Sequence, residues 1–119
     1  MKTTEIKKLD TLWKKAIHSR DVVCQICGKE STPNAHHIIG RRNHSVRWDL
    51  DNGIILCSGC HTFKNQSAHQ DPLWFSEWFI KNYPDRYDSI SVKRNLVIKR
   101  PFSDWAEYIK SEICDIIEE

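Results

Sequence analysis

Cys24-Gln25-Ile26-Cys27, Ala35-His36-His37-Ile38-Ile39 and Asn52-Gly53-Ile54-Ile55-Leu56-Cys57-Ser58-Gly59-Cys60-His61 are the strings whose reading decides the fold. Each C-x-x-C pair offers two thiolates from one tight turn, and two such turns supply the four sulfurs that tetrahedral zinc prefers. The pairs are 29 residues apart, counting 28–56, more than the roughly 15–20 of a simple zinc ribbon. The cage therefore closes the base of an insertion that carries strands and histidines. A redox-active pair or four unrelated buried thiols are the plainer alternatives. A structural zinc on Cys24, Cys27, Cys57 and Cys60 accounts for both pairs at once. Cys114, on the apolar side of the last predicted helix, reads as a small core residue.

Around that insertion the apolar spacing predicts an α+β chain. Residues 4–19 read as an amphipathic helix with Thr4 as N-cap, because Ile6, Leu9, Trp13, Ala16 and Ile17 recur at three- and four-residue steps. Its opposite face carries Lys7, Lys8, Lys14 and Lys15. Val22 to Lys29 reads as a short strand and knuckle. Ala35 to Ile39 and Ile54 to Leu56 read as strands, and Asn52-Gly53 is a strong turn signal. After Cys60 a helix is expected through about Gln70. Asp71-Pro72 opens another, with Asp as N-cap and Pro at the first position, and Tyr83-Pro84 ends it. Its Leu73, Trp74, Phe75, Trp78 and Phe79 make it a core helix. Residues 85–100 are ambiguous. A last helix runs to about Ile117, with Trp105, Ile109, Ile113 and Ile116 on one face. The expected organisation is one domain over 1–119, with a motif core at 22–70, a helix at 4–19 and a helical part at 71–118.

Composition narrows the class. The chain has 119 residues, 39% apolar and 29% charged, ordinary values for a soluble globular protein. No apolar run is long enough to cross a membrane. The charged N-terminus lacks the apolar segment of a secretory signal, so a cytoplasmic location and metal-bound rather than disulfide-bonded cysteines are expected. The net charge is only +2, but its distribution is uneven. Residues 1–20 hold six Lys or Arg against two acids, residues 36–48 hold Arg41, Arg42 and Arg47 with no acid, and residues 103–119 hold six acids against Lys110. Cations beside a metal site suit a polyanion. An unevenly charged solvated surface is the plainer reading.

The histidines carry the chemistry. His36 and His37 are neighbours on a predicted strand, so their side chains point to opposite faces unless a bulge or twist intervenes. His61 follows Cys60, and Asn65 lies four residues on, on the same face if the segment is helical. One strand residue and two residues of one helical turn could hold an ion while the second strand residue acts on water. Asn52 could hydrogen-bond the loop that holds His37.

The order His37, Asn52, His61 between C-x-x-C pairs resembles the HNH endonuclease family and the ββα-metal nucleases generally, including the colicin DNases. The resemblance covers about residues 22–70. Cys60-His61 with Ala68-His69-Gln70-Asp71-Pro72 is also similar to small HNH proteins common in bacteriophage genomes. It implies a small zinc-stapled ββα-metal core with helices packed on its N- and C-terminal sides. It implies that His37 is the general base, that His36 and His61 are ligands of a catalytic divalent metal (Mg, Mn, Ni or Zn), that Asn65 is its third ligand, and that Asn52 braces the loop and orients His37. His69 has no clear role in the shared motif; it could ligate a metal, touch phosphate or cap a helix, and is read as non-catalytic. A divalent ion on the scissile phosphate would stabilise the added charge and the leaving 3′ oxygen. An imidazole is a suitable base near neutral pH, provided an acceptor such as a backbone carbonyl fixes its tautomer. Arg41, Arg42 and Arg47 would bind flanking phosphates, with Arg47 alternatively a structural partner of Asp49 or Asp51.

The leading expectation is a metal-dependent DNA endonuclease that nicks or cuts duplex DNA with little sequence preference, since so small a chain has little surface left for reading bases. A non-catalytic zinc-stabilised DNA-binding module, or a phage packaging accessory, is the alternative. A homodimer and a phage packaging complex are the further partners the resemblance leaves open.

Overall fold

The structure, a computed structural model, describes residues 1–118, with side chains described through Ile113. The expectations for Cys114 and for Ile116 fall on side chains outside that range. The fold is α+β. Helix α1 (Thr3–Asp21) leads through the first cysteine knuckle to strand β1 (Pro33–His37), a long loop ends in a 3-10 turn (Leu50–Asn52), and strand β2 (Gly53–Cys57) runs into a π-helical turn (Gly59–Phe63). Three helices follow: α2 (Pro72–Asn82), α3 (Pro84–Lys93) and α4 (Phe102–Glu118).

The two antiparallel strands form a two-stranded sheet in unbroken register, with Ala35 opposite Ile55, His36 opposite Ile54 and His37 opposite Gly53. So small a sheet is unstable alone and must be covered, and here both faces are. Because side chains alternate, Ile55 enters one core with Leu9, Trp13 and Ile17 of α1 and Trp105 and Ile109 of α4. Ile54 and Leu56 enter a second core with Phe75 and Phe79 of α2, Ile90 of α3 and the knuckle cysteines. Every residue of β2 is buried. Arg20 and Asp21 fasten the end of α1 to the sheet. Arg20 donates to the carbonyls of Leu50 (2.7 Å) and Gly53 (2.6 Å), and Asp21 accepts from the Ile55 amide at 3.1 Å.

Several boundaries differ from those expected. The N-cap of α1 is Lys2, not Thr4, because Glu5 reaches back to accept from the Lys2 amide at 2.9 Å. Val22 to Lys29 forms no strand; it is a tight loop closed by Cys24 N–H to Lys29 O (3.1 Å) and Gly28 N–H to Cys24 O (2.8 Å). β1 stops at His37 because Ile38 and Ile39 turn their amides to Asn52 instead of to a ladder partner. The helix expected from Cys60 to Gln70 ends after Phe63, where Lys64 is extended. The cap of α2 is as expected, with Asp71 accepting from the Trp74 amide at 3.1 Å. The ambiguous residues 85–100 divide between α3 and an irregular strap. No helix among the described residues is long and apolar enough to cross a membrane.

Gly53 is required for space. Its backbone is extended (φ −135°, ψ 151°), so conformation does not demand glycine. A Cβ there would collide with the Trp13 ring and lie 2.7 Å from Ile17 Cδ1, both fully buried. Gly53→Ala is expected to lower stability by about 1–3 kcal/mol, the usual cost of overpacking. Chemical unfolding of the zinc-loaded protein checks this, and an unchanged midpoint would show that the Trp13 pocket yields freely.

Candidate functional site

The four cysteines converge. Their sulfurs lie within 4.8 Å of one another, and the Sγ atoms of Cys27 and Cys57 are 3.7 Å apart. Ligands of a tetrahedral zinc with Zn–S near 2.3 Å stand roughly 3.8 Å apart, so the donor set suits that ion. Burial works against a thiolate at Cys24, but the backbone amides of Cys27, Cys57 and Ile26 outweigh it and bring Cys24 down to about 7. Burial and the neighbouring sulfurs push Cys60 up. Thiolates that oppose one another's ionisation in this way are what a shared cation reconciles. Lys64 Nζ lies 3.7 Å from Cys60 Sγ on the outside.

A second cluster is built of imidazoles. One ring nitrogen from each of His36, His61 and His69 lies within 4.8 Å of the others, and the Nε2 atoms of His61 and His69 are 3.0 Å apart. Nitrogen ligands on one tetrahedral ion stand roughly 3.4 Å apart, so three neutral imidazoles suit a divalent ion with open positions. Three elements aim them. His36 comes from β1, on the side of the sheet that faces Phe75 of α2 (ring centroids 5.2 Å). His61 comes from the π-helical turn that begins beside the sulfur cage. His69 comes from the return segment, whose amides pair back on that turn: Ala68 N–H to Cys60 O at 2.9 Å and His69 N–H to His61 O at 3.0 Å. Buried Ser67 fixes the return, donating to Thr62 O and accepting from the Gln70 amide. Burial, reinforced by His61, His69 and His37, pushes His36 down to about 3. Burial, with His69, also lowers His61. Both shifts favour the neutral imidazole, the form that binds a metal.

The turn expected to put Asn65 on the His61 face ends at Phe63, and Asn65 is exposed in the bend beyond. The third imidazole of the cluster is His69. The sequence held a partial signal for it: a histidine immediately before the Asp71-Pro72 helix start. The non-local pairing that folds it back was not legible.

His37 takes the other side of the strand. No bulge brings it to His36; the register is regular. Its ring stacks on Trp13 at 3.8 Å and 7°, and the Trp13 ring itself fills the space a side chain at Gly53 would need. Its Nε2 is 2.9 Å from the carbonyl of Arg47. A carbonyl can only accept, so Nε2 carries the proton and Nδ1 keeps its lone pair. Burial pushes His37 down to about 4, against the opposing influence of the Arg47 carbonyl and Asp10. His36 and His37 nevertheless border one cleft of about 350 Å³, with His61, His69, Lys14, Gly40 and Arg41 around it.

The loop between the strands is pinned by Asn52, which is fully buried. Its Oδ1 accepts from the Ile39 amide at 2.7 Å, and its Nδ2 donates to the carbonyls of Ile39 and Val46, both at 3.0 Å. Both ends of the loop are thereby fixed, and with them the Arg47 carbonyl that meets His37. Arg47 itself pairs with neither Asp49 nor Asp51. Its guanidinium makes a side-on pair with Asp10 of α1, at 3.1 and 2.8 Å, and Asp10 also accepts from the Trp48 ring at 2.9 Å. Asp49 pairs with Lys93 at 2.8 Å. Arg41 and Arg42 are exposed. Lys14, read from sequence only as part of a solvated face, stands at the rim of the histidine cleft.

Residues 24–67 match the family model described as HNH endonuclease. The match spans the sulfur cage, both strands and the π-helical turn, and stops two residues before His69. No curated protein and no solved structure matches the chain. Removing a true ligand weakens metal binding by at least the roughly 10–100-fold seen when a ligand's supporting partner is lost. His69→Ala is therefore expected to weaken Mn binding by more than tenfold in a calorimetric titration of zinc-loaded protein, with Asn65→Ala unchanged. The reverse ranking would restore Asn65 as the ligand.

Proposed function

We propose that this HNH domain belongs to a metal-dependent endonuclease that hydrolyses phosphodiester bonds of duplex DNA. The observation that carries the reading is the juxtaposition, in one cleft, of three metal-competent imidazoles and a fourth imidazole whose tautomer is fixed with its lone pair on Nδ1. A pure binding module has no use for that division of labour.

The residues take the following roles. His36, His61 and His69 hold a divalent ion, which would supply Lewis-acid stabilisation of the charge developing on the phosphate and its leaving oxygen. His37 Nδ1 takes the proton of the attacking water while the new bond from water oxygen to phosphorus forms and the bond to the 3′ oxygen breaks. Trp13 and the Arg47 carbonyl hold the ring in place during that transfer. Burial holds His37 low, and the approach of the phosphate anion raises its proton affinity again, because a negative neighbour favours the imidazolium. Lys14 and Arg41, which both line the cleft, bind the phosphates that flank the cut. Arg42 joins them from the loop, whereas Arg47 is committed to Asp10 and acts through its carbonyl. The sulfur cage takes no part in the chemistry and holds the zinc that frames it.

The test is a supercoiled-plasmid assay on the parent protein and His37→Ala, each with chelator and then with Mg, Mn, Ni or Zn, with zinc content measured on the same samples. Metal-dependent nicking by the parent is expected to fall on the order of 10²–10⁴-fold in His37→Ala, the usual contribution of general base catalysis, with the structural zinc retained. Plasmid binding without cleavage in any metal, equal in both proteins, would leave a non-catalytic zinc-stabilised DNA-binding module.

A further inference from the structure

Beyond the HNH segment, the strap from Arg94 to Arg100 is fastened to the arginine loop of the site. Asn43 Nδ2 donates to Arg94 O at 3.0 Å, Ser45 Oγ donates to Leu96 O at 2.7 Å, and the Ile98 amide donates to Ser45 Oγ at 3.0 Å. Arg100 anchors the far end over the Trp105 ring, 4.7 Å from its centroid. The loop and the strap are thus hydrogen-bonded into one surface.

That surface is strongly cationic. No acid occurs in residues 36–48 or 89–103. Arg41 and Arg42 on the loop and Arg94 and Lys99 on the strap are all exposed, and neither Arg94 nor Lys99 has a side-chain hydrogen bond or ion pair among the described residues. The concavity under the loop holds about 750 Å³ and shares Gly40 and Arg41 with the histidine cleft, so the cationic surface begins where the metal site ends. Leu96 and Val97, 52% and 82% exposed, lie between the strap cations. Taken alone, that apolar pair would suit a protein partner. The flanking cations and the continuity with the cleft decide for a polyanion.

We propose that the strap is a second DNA-binding element, in which Arg94 and Lys99 contact phosphates of the duplex beyond those held at the cleft. The inference rests on the nuclease reading and adds the extent of the substrate: a duplex long enough to run from the histidines across the loop to the strap. Each phosphate neutralised releases counterion and contributes about 0.9 to the slope of log K against log salt.

The experiment is a fluorescence-anisotropy titration of a labelled duplex with the zinc-loaded full chain, without added divalent ion, over a range of salt. The proteins compared are the parent, Arg94→Ala/Lys99→Ala, and a control pair, Lys81→Ala/Lys110→Ala, on α2 and α4. The strap variant is expected to bind at least about tenfold more weakly at low salt, with a slope shallower by about 2, and the control pair to match the parent. Unchanged affinity and slope in the strap variant, from a parent that binds DNA and nicks plasmid, would overturn the strap and leave the nuclease reading intact. A parent that neither binds duplex nor nicks plasmid would overturn both.

Discussion

Four sulfur atoms crowded into one small volume impose the constraint on which the rest depends. Thiolates so close would repel one another, and three of the four cysteines are buried, so the donor set suits a cation at its centre. The cage joins the loop after α1 to the end of β2. Those two points fix where β2 lies, where the π-helical turn begins and therefore where His61 points. In so small a sheet, a metal in the cage would supply order that two strands could not supply alone.

The alternation of a single strand then separates two functions. His36 points to the face that packs on α2 and meets His61 and His69. His37, one residue later, points to the face that packs on α1 and meets Trp13. The proposed ligand and the proposed base are neighbours in space but have different supports. One rests on the cage and its return segment. The other rests on an indole, a glycine and a carbonyl held by Asn52 and, through Arg47, by Asp10. The second support reaches outside residues 24–67, which match the HNH model, since Asp10 and Trp13 both belong to α1. In this chain the N-terminal helix is thus part of the site as well as of the core.

The legibility of these features in the sequence followed their range. The C-x-x-C pairs, the Asp71 cap and the apolar stripe of α1 are local patterns, and each matched the structure to within a few residues. The bracing bonds of Asn52 to the loop were also expected, from its place across the turn from His37. What failed was non-local or weakly periodic. Arg47 was offered only its sequence neighbours Asp49 and Asp51 as partners, whereas Asp10 lies 37 residues away. The helix expected to run past Asn65 ends at Lys64. The place of His69 beside His61 was not legible, because nothing nearby in sequence shows that Ala68 and His69 pair back on Cys60 and His61. α3 stayed ambiguous because it buries only Ile90 fully, leaving too thin an apolar stripe to read.

The central claim is that one chain holds two chemically distinct metal sites, an all-sulfur frame and an all-imidazole site. X-ray absorption on protein loaded first with zinc and then with manganese tests it most directly. The account predicts sulfur neighbours alone around zinc, at about 2.3 Å, and nitrogen and oxygen neighbours alone around manganese, with nitrogen scattering reduced in His61→Ala. Mixed sulfur and nitrogen around either ion, or a manganese environment unchanged in His61→Ala, would contradict it.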